Sequence, residues 1–112
     1  MQVLLFYCLF FEIGSDMKEK SKQGLADFAK LCTQIENPED LLQLFDLFFT
    51  IEEKETLAQR YLIVEALLKG ELTQREISEK MKVSIAQITR GSNAMKIIDD
   101  KLKDFLRNTL SS

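Results

Sequence analysis

The sequence predicts an all-α fold of about six helices that contains a helix-turn-helix. Three observations predict it. Capping boxes recur along the chain, at Thr50/Glu53, Thr73/Glu76 and Ser84/Gln87, and each marks a helix start because a side-chain oxygen takes up an orphan N–H of the first turn. Apolar residues between these starts recur at helical rather than alternating spacing. The chain holds one Pro and four Gly, which fits an all-helical chain with few turns. At 112 residues with 46% hydrophobic content it is one globular domain rather than a disordered one. A chain this small buries a modest core alone, which favours a homodimer.

The first stretch, Met1–Ile13, is apolar and lacks Lys and Arg. A signal peptide needs a basic start and a small-residue cleavage site, and a bilayer span needs more residues. Residues 1–16 are expected to be an apolar extension outside the fold, an upstream translation artefact with Met17 as the initiator. A membrane-associated or partner-binding helix and a true core element are the competing readings. The domain proper is then 17–112, with no membrane association.

From Leu25 the positions Leu25, Phe28, Ala29, Leu31, Cys32 and Ile35 form one helical face. Asn37 and Pro38 stop that helix and start the next, as N-cap and first-turn proline. Leu41, Leu42, Leu44, Phe45, Leu47, Phe48 and Phe49 make the following helix apolar nearly all round. Such a helix must be covered on every side, and in a short chain a second subunit is the natural cover. The Thr50 box opens a helix that runs to Lys69, with Gly70 as its stop. Its expected stripe is Leu57, Tyr61, Val64, Leu67 and Leu68, with Arg60 among them. Asp99 or Asp100 caps a last helix whose expected core face is Leu102, Phe105, Leu106 and Leu110.

Leu72–Lys96 organises the rest. Two short capped helices flank Lys82 and Val83. Ile77, Met81, Val83 and Ile88 are the expected buried positions, and Ser78 is small enough for a close crossing. This is the pattern of a helix-turn-helix, whose second helix enters the DNA major groove; a plain helical hairpin is the bland alternative. Lys82 stands where such turns usually carry Gly, which predicts a slightly costly, non-standard turn. The small and polar face Ser84, Ala86, Gln87, Thr89, Arg90 and Asn93 suits base edges and phosphates. Charge agrees. Segment 36–71 holds nine acidic and three basic residues, a net of −6, whereas 73–98 holds five basic (Arg75, Lys80, Lys82, Arg90, Lys96) and two acidic, a net of +3. Positive charge sits where phosphate neutralisation needs it.

Other chemistry is poorly supported. There is no His, no Gly-rich phosphate loop and no nucleophile–base spacing, so the chain is not expected to be an enzyme. Cys8 and Cys32 lack metal-ligand spacing, so no metal is expected. The composition suits a reducing cytoplasm.

Ile88-Thr89-Arg90-Gly91-Ser92-Asn93, preceded by Gly70-Glu71-Leu72-Thr73-Gln74-Arg75-Glu76, resembles the tryptophan repressor family. So does the upstream run from Thr50 through Glu52-Glu53-Lys54-Glu55-Thr56-Leu57 and Arg60-Tyr61 to Ile63-Val64 and Leu67-Leu68. The resemblance is strong from Phe48 to Lys96, weaker from Met17 to Leu47 and beyond Ile97, and absent from the first 16 residues. It implies an intertwined homodimer that represses transcription of tryptophan biosynthesis or uptake genes when L-tryptophan binds as co-repressor, with no other cofactor. It implies that Arg60 and Arg90 sandwich the indole, a role suited to a planar, always-charged guanidinium. Arg90 would also pair with the ligand carboxylate. Thr50 would lie at the ligand, and the carbonyls of Leu47 and Phe49 from the partner chain would face its ammonium. Gly91 would leave room for the indole. Ala94 departs from the family, which often has Ser there, so one hydrogen bond to the ammonium is missing.

The resemblance likewise assigns contacts to double-stranded operator DNA. Arg75 is matched to a bidentate contact with guanine. Gln74, Thr89 and Lys96 match phosphate-contacting positions. Ser84, Ile85, Ala86 and Gln87 open the reading helix towards base edges, partly through water, a mode of readout for which this family is itself the standing example. The alternative is a replication-initiator or sigma-type helix-turn-helix module without small-molecule control, which has no need of both Arg60 and Arg90.

Overall fold

The computed structural model describes residues 17–110, so the expectation for residues 1–16 lies outside the described residues. Among the described residues all regular structure is helical: α1 (Glu19–Thr33), α2 (Pro38–Phe48), α3 (Ile51–Lys69), α4 (Gln74–Met81), α5 (Ile85–Met95) and α6 (Asp100–Leu110). The expected all-α class and helix number hold among the described residues.

Local chemistry explains almost every boundary. Only α1 starts without a side-chain cap, because Lys18 at its N-cap has no acceptor to offer. At α2 the Asn37 Oδ1 accepts the Asp40 N–H at 2.8 Å, and Pro38 takes the first helical position. Phe49 then leaves the helix in an extended conformation, φ −120° and ψ 142°. At α3 the Glu53 N–H donates to Thr50 Oγ1 at 3.1 Å and the Thr50 N–H to Glu53 Oε1 at 2.8 Å. Gly70, at φ +67°, ends α3 in the left-handed region that glycine enters without a Cβ penalty. The boxes at Thr73 and Ser84 are complete in both directions. Of the two candidate caps for α6, Asp99 acts: its Oδ1 accepts the Leu102 N–H at 2.8 Å.

The chain divides between Lys54 and Glu55. In the first region no residue of α1 or α2 is buried. Its organising contact is aromatic. Phe28 meets Phe48 edge-on at a centroid distance of 5.2 Å and Phe49 at 5.8 Å, and Phe45 meets Phe49 at 5.4 Å. These separations suit edge-to-face aromatic attraction. Asp46 and Lys54 form an ion pair. The expected α1 core face is only partly covered within the chain: Leu25 and Leu31 are exposed, as are Leu42, Leu47 and Phe48 on α2.

The second region carries its own core of Ile63, Ile77, Val83 and Ile88, with Ala66, Leu67, Leu72 and Met81 packed against it. Three of the four positions expected from the 72–96 stretch are buried, and Met81 sits at the rim. The α3 expectation needs correction. Its fully buried residue is Ile63, while Leu57 and Tyr61 are exposed and Val64, Leu67 and Leu68 are half-buried. Apolar residues lie around α3 rather than on one face, so spacing alone does not single out Ile63. On α6, Leu106 and Leu110 are half-buried but Leu102 and Phe105 are exposed.

The α4–α5 turn is also more regular than expected. Lys82 adopts φ 56° and ψ 45°, the usual left-handed end of a helix. Ser78 holds it: its carbonyl accepts the Lys82 and Val83 N–H groups, and its Oγ donates to the Val83 carbonyl at 2.6 Å.

Candidate functional site

Two capped helices present the positive charge. Arg75, Lys80, Lys82, Arg90 and Lys96 are all exposed. The ion pairs among the described residues involve Lys54, Lys69, Lys103 and Arg107. None of the five cations of α4, α5 and their flanks has a carboxylate partner among the described residues. Lys96 makes a long contact to Asn93 Oδ1, 3.5 Å. Exposed cations without internal counter-charges are free to neutralise an external anion, and phosphate binding is driven by that neutralisation.

Most of the expected DNA-contacting residues occupy the starts of both helices, whereas Thr89 is the fifth residue of α5 and Lys96 its C-cap. Gln74 and Arg75 are the first two residues of α4 and are exposed. Ile85 is 49% exposed at the first position of α5, and Ala86 and Thr89 are exposed. Ser84 and Gln87 differ from these, because most of their polar groups are already used. Ser84 Oγ accepts the Gln87 N–H at 3.1 Å. Gln87 Oε1 accepts the Ser84 N–H at 2.8 Å and the Ser84 hydroxyl at 3.3 Å. Gln87 Nε2 donates to Gln59 Oε1 at 3.3 Å. Gln59 escaped the sequence reading, since no local spacing joins positions 59 and 87.

Of the expected ligand residues, Arg60, Gly91, Arg90 and Ala94 lie in the second region. Gly91 is buried against α3: a Cβ there would stand 3.0 Å from Ile63 Cγ2, 3.7 Å from Arg60 Cδ and 3.9 Å from Leu67 Cδ1. The close approach of α5 to α3 is thus reason enough for glycine. It also brings the half-buried Arg60 stem alongside α5, where Arg90 is exposed and Ala94 half-buried. In the first region Leu47 is 76% exposed at the end of α2, in the last turn, where helix carbonyls lack a partner further along the helix. Phe49 belongs to the aromatic cluster. The Thr50 hydroxyl is engaged as the cap of α3.

Among the described residues no group of His, Cys, Asp or Glu could hold a metal ion. None of the described helices is long and apolar enough to cross a membrane.

Comparison with known proteins agrees with the resemblance. The family model for the Trp repressor protein matches residues 23–110. A Trp operon repressor homolog of Chlamydia caviae is 55% identical over 91 residues, covering 81% of this chain and 90% of that protein. One of Chlamydia trachomatis serovar D is 49% identical over 94 residues, covering 84% of this chain and all of that protein. A homolog of Vibrio campbellii is 48% identical over 67 residues, 60% of this chain and 67% of its own length. A match that runs from within α1 to the end of α6 and takes in the capped α4–α5 pair and both arginines leaves one assignment, and the chain belongs to the Trp repressor family.

Proposed function

We propose that the protein is a cytoplasmic, sequence-specific transcriptional repressor that binds operator DNA as an intertwined homodimer and requires L-tryptophan as co-repressor. Its targets are genes of tryptophan biosynthesis or uptake. The observation that carries this reading is the set of exposed cations on α4 and α5 without internal counter-charges, in a chain of the Trp repressor family. In this reading α4 and α5 are the helix-turn-helix and α5 is the reading helix. Arg75 contacts guanine, Gln74, Thr89 and Lys96 hold phosphates, and Ile85 and Ala86 face base edges.

The co-repressor acts by bridging. Arg60 belongs to α3 and Arg90 to α5. An indole between their guanidinium planes ties the reading helix to the helix beneath it, and Thr50 with the partner's Leu47 and Phe49 carbonyls holds the amino-acid end. A ligand shifts such an equilibrium only through its differential affinity for the competent state. Linkage then requires operator DNA to tighten L-tryptophan binding by the factor by which L-tryptophan tightens DNA binding. The test is a DNA titration with and without saturating L-tryptophan. The proposal expects a clear gain in operator affinity with the ligand. Equal affinity in both would overturn co-repression and leave a DNA-binding module without small-molecule control.

A further inference from the structure

The amide of Gln87 is almost fully committed inside the protein, and what remains of it has a definite polarity. Its oxygen has two lone pairs. Both are occupied, by the Ser84 N–H at 2.8 Å and the Ser84 hydroxyl at 3.3 Å. Its nitrogen has two N–H donors, and one goes to Gln59 Oε1 at 3.3 Å. A single N–H is left. Gln59 also matters for where that N–H sits. It is one helical turn before Ile63 on α3, and Gln87 is one helical turn before Gly91 on α5. Ile63 packs against Gly91, with its Cγ2 3.0 Å from where a Cβ would stand. The Gln59–Gln87 pair therefore lies one turn along from the Ile63–Gly91 contact, at its polar edge, and holds the Gln87 amide towards α3.

Glutamine in the major groove ordinarily reads adenine with both ends of its amide, accepting from N6 and donating to N7. That pairing needs a free oxygen, and here there is none. We infer that Gln87, its oxygen taken up by Ser84 and its amide held by Gln59 as a positioning residue, is a donor-only reader, so that at the base it faces the protein selects an acceptor and rejects cytosine. Guanine, thymine and adenine each present a major-groove acceptor, whereas the cytosine edge presents only the N4 donor. The inference rests on the DNA-binding reading of α5.

The experiment has two arms, both on the full chain. In the absence of DNA, the Gln87 side-chain amide is followed by NMR hydrogen exchange. One of its protons is expected to be slowed. Gln59→Leu should abolish the slowing, and Gln59→Glu should restore it by offering a carboxylate to the same N–H. Exchange unchanged in Gln59→Leu would overturn the positioning role. In the second arm, duplexes are selected from a randomised library with L-tryptophan present. The natural protein should disfavour cytosine at one position per half-site, roughly 2- to 10-fold, the effect of one net hydrogen bond. Gln87→Glu keeps an acceptor for the Ser84 N–H but has no donor left for the base, so the preference should turn towards cytosine. Gln59→Leu should blunt the preference and Gln59→Glu should restore it. A selected motif that Gln87→Glu leaves unaltered would overturn the inference alone. A natural protein that selects no motif would overturn the base reading together with the DNA-binding reading.

Discussion

The two regions of the chain solve the problem of burial differently. Residues 55–110 enclose four apolar side chains, and Ile77 and Ile88 are completely buried. Residues 17–54 enclose none in α1 or α2, although Leu25, Leu31, Leu42, Leu47 and Phe48 are all apolar and exposed there. Exposed apolar side chains scattered singly are ordinary, but several on two successive helices are a surface that wants a cover. The lesson concerns the order of dependence. The second region holds its fold from within, whereas the first depends on whatever covers it, which the proposed homodimer supplies.

Breaking the self-sufficient side should have the largest effect. Ile77→Ala removes a fully buried side chain from a four-residue core and is expected to cost about 2–5 kcal/mol in chemical denaturation. The first region should respond in a way the second does not. Leu42→Ala, at a position 61% exposed in the single chain, is expected to cost about 2 kcal/mol per chain in the associated protein. The denaturation midpoint of the natural protein should rise with its concentration. A midpoint independent of concentration and untouched by Leu42→Ala would mean that this face stays in water.

Gly91→Ala tests the contact between α3 and α5. A Cβ at 3.0 Å from Ile63 Cγ2 forces side chains or helices apart, at about 1–3 kcal/mol. Thermal denaturation of Gly91→Ala alone and with Ile63→Val, which removes a methyl group from the crowded side chain, should show partial rescue. The smallest expected effect is favourable. Lys82→Gly relieves a non-glycine residue at φ 56° and should stabilise by about 0.5–1 kcal/mol, read as a small rise in denaturation midpoint.

What was legible in the sequence follows the range of the signal. The starts of α2 to α6 are written in residues three apart, such as Thr73 and Glu76 or Asp99 and Leu102, and those contacts form as expected. The core of the α4–α5 pair was legible for the same reason, because both helices carry a narrow apolar face. The centre of α3 was not. Its apolar residues lie all around the helix, and only the close approach at Gly91 selects Ile63 over Leu57 and Tyr61. Within the candidate site, the exposed cations could be read from composition. The Gln59–Gln87 contact could not, since it joins residues 28 apart through a helix packing that no local spacing encodes.

The Ser78 stitch has a consequence in time. Its hydroxyl and carbonyl close the α4–α5 turn over five residues at most, at 2.6 Å and 3.2 Å. Closing so short a loop costs little chain entropy, and contacts of low sequence separation form early. The α4–α5 pair can therefore nucleate before α3 settles onto it, so on refolding of the full chain it is expected to be among the first parts to take shape.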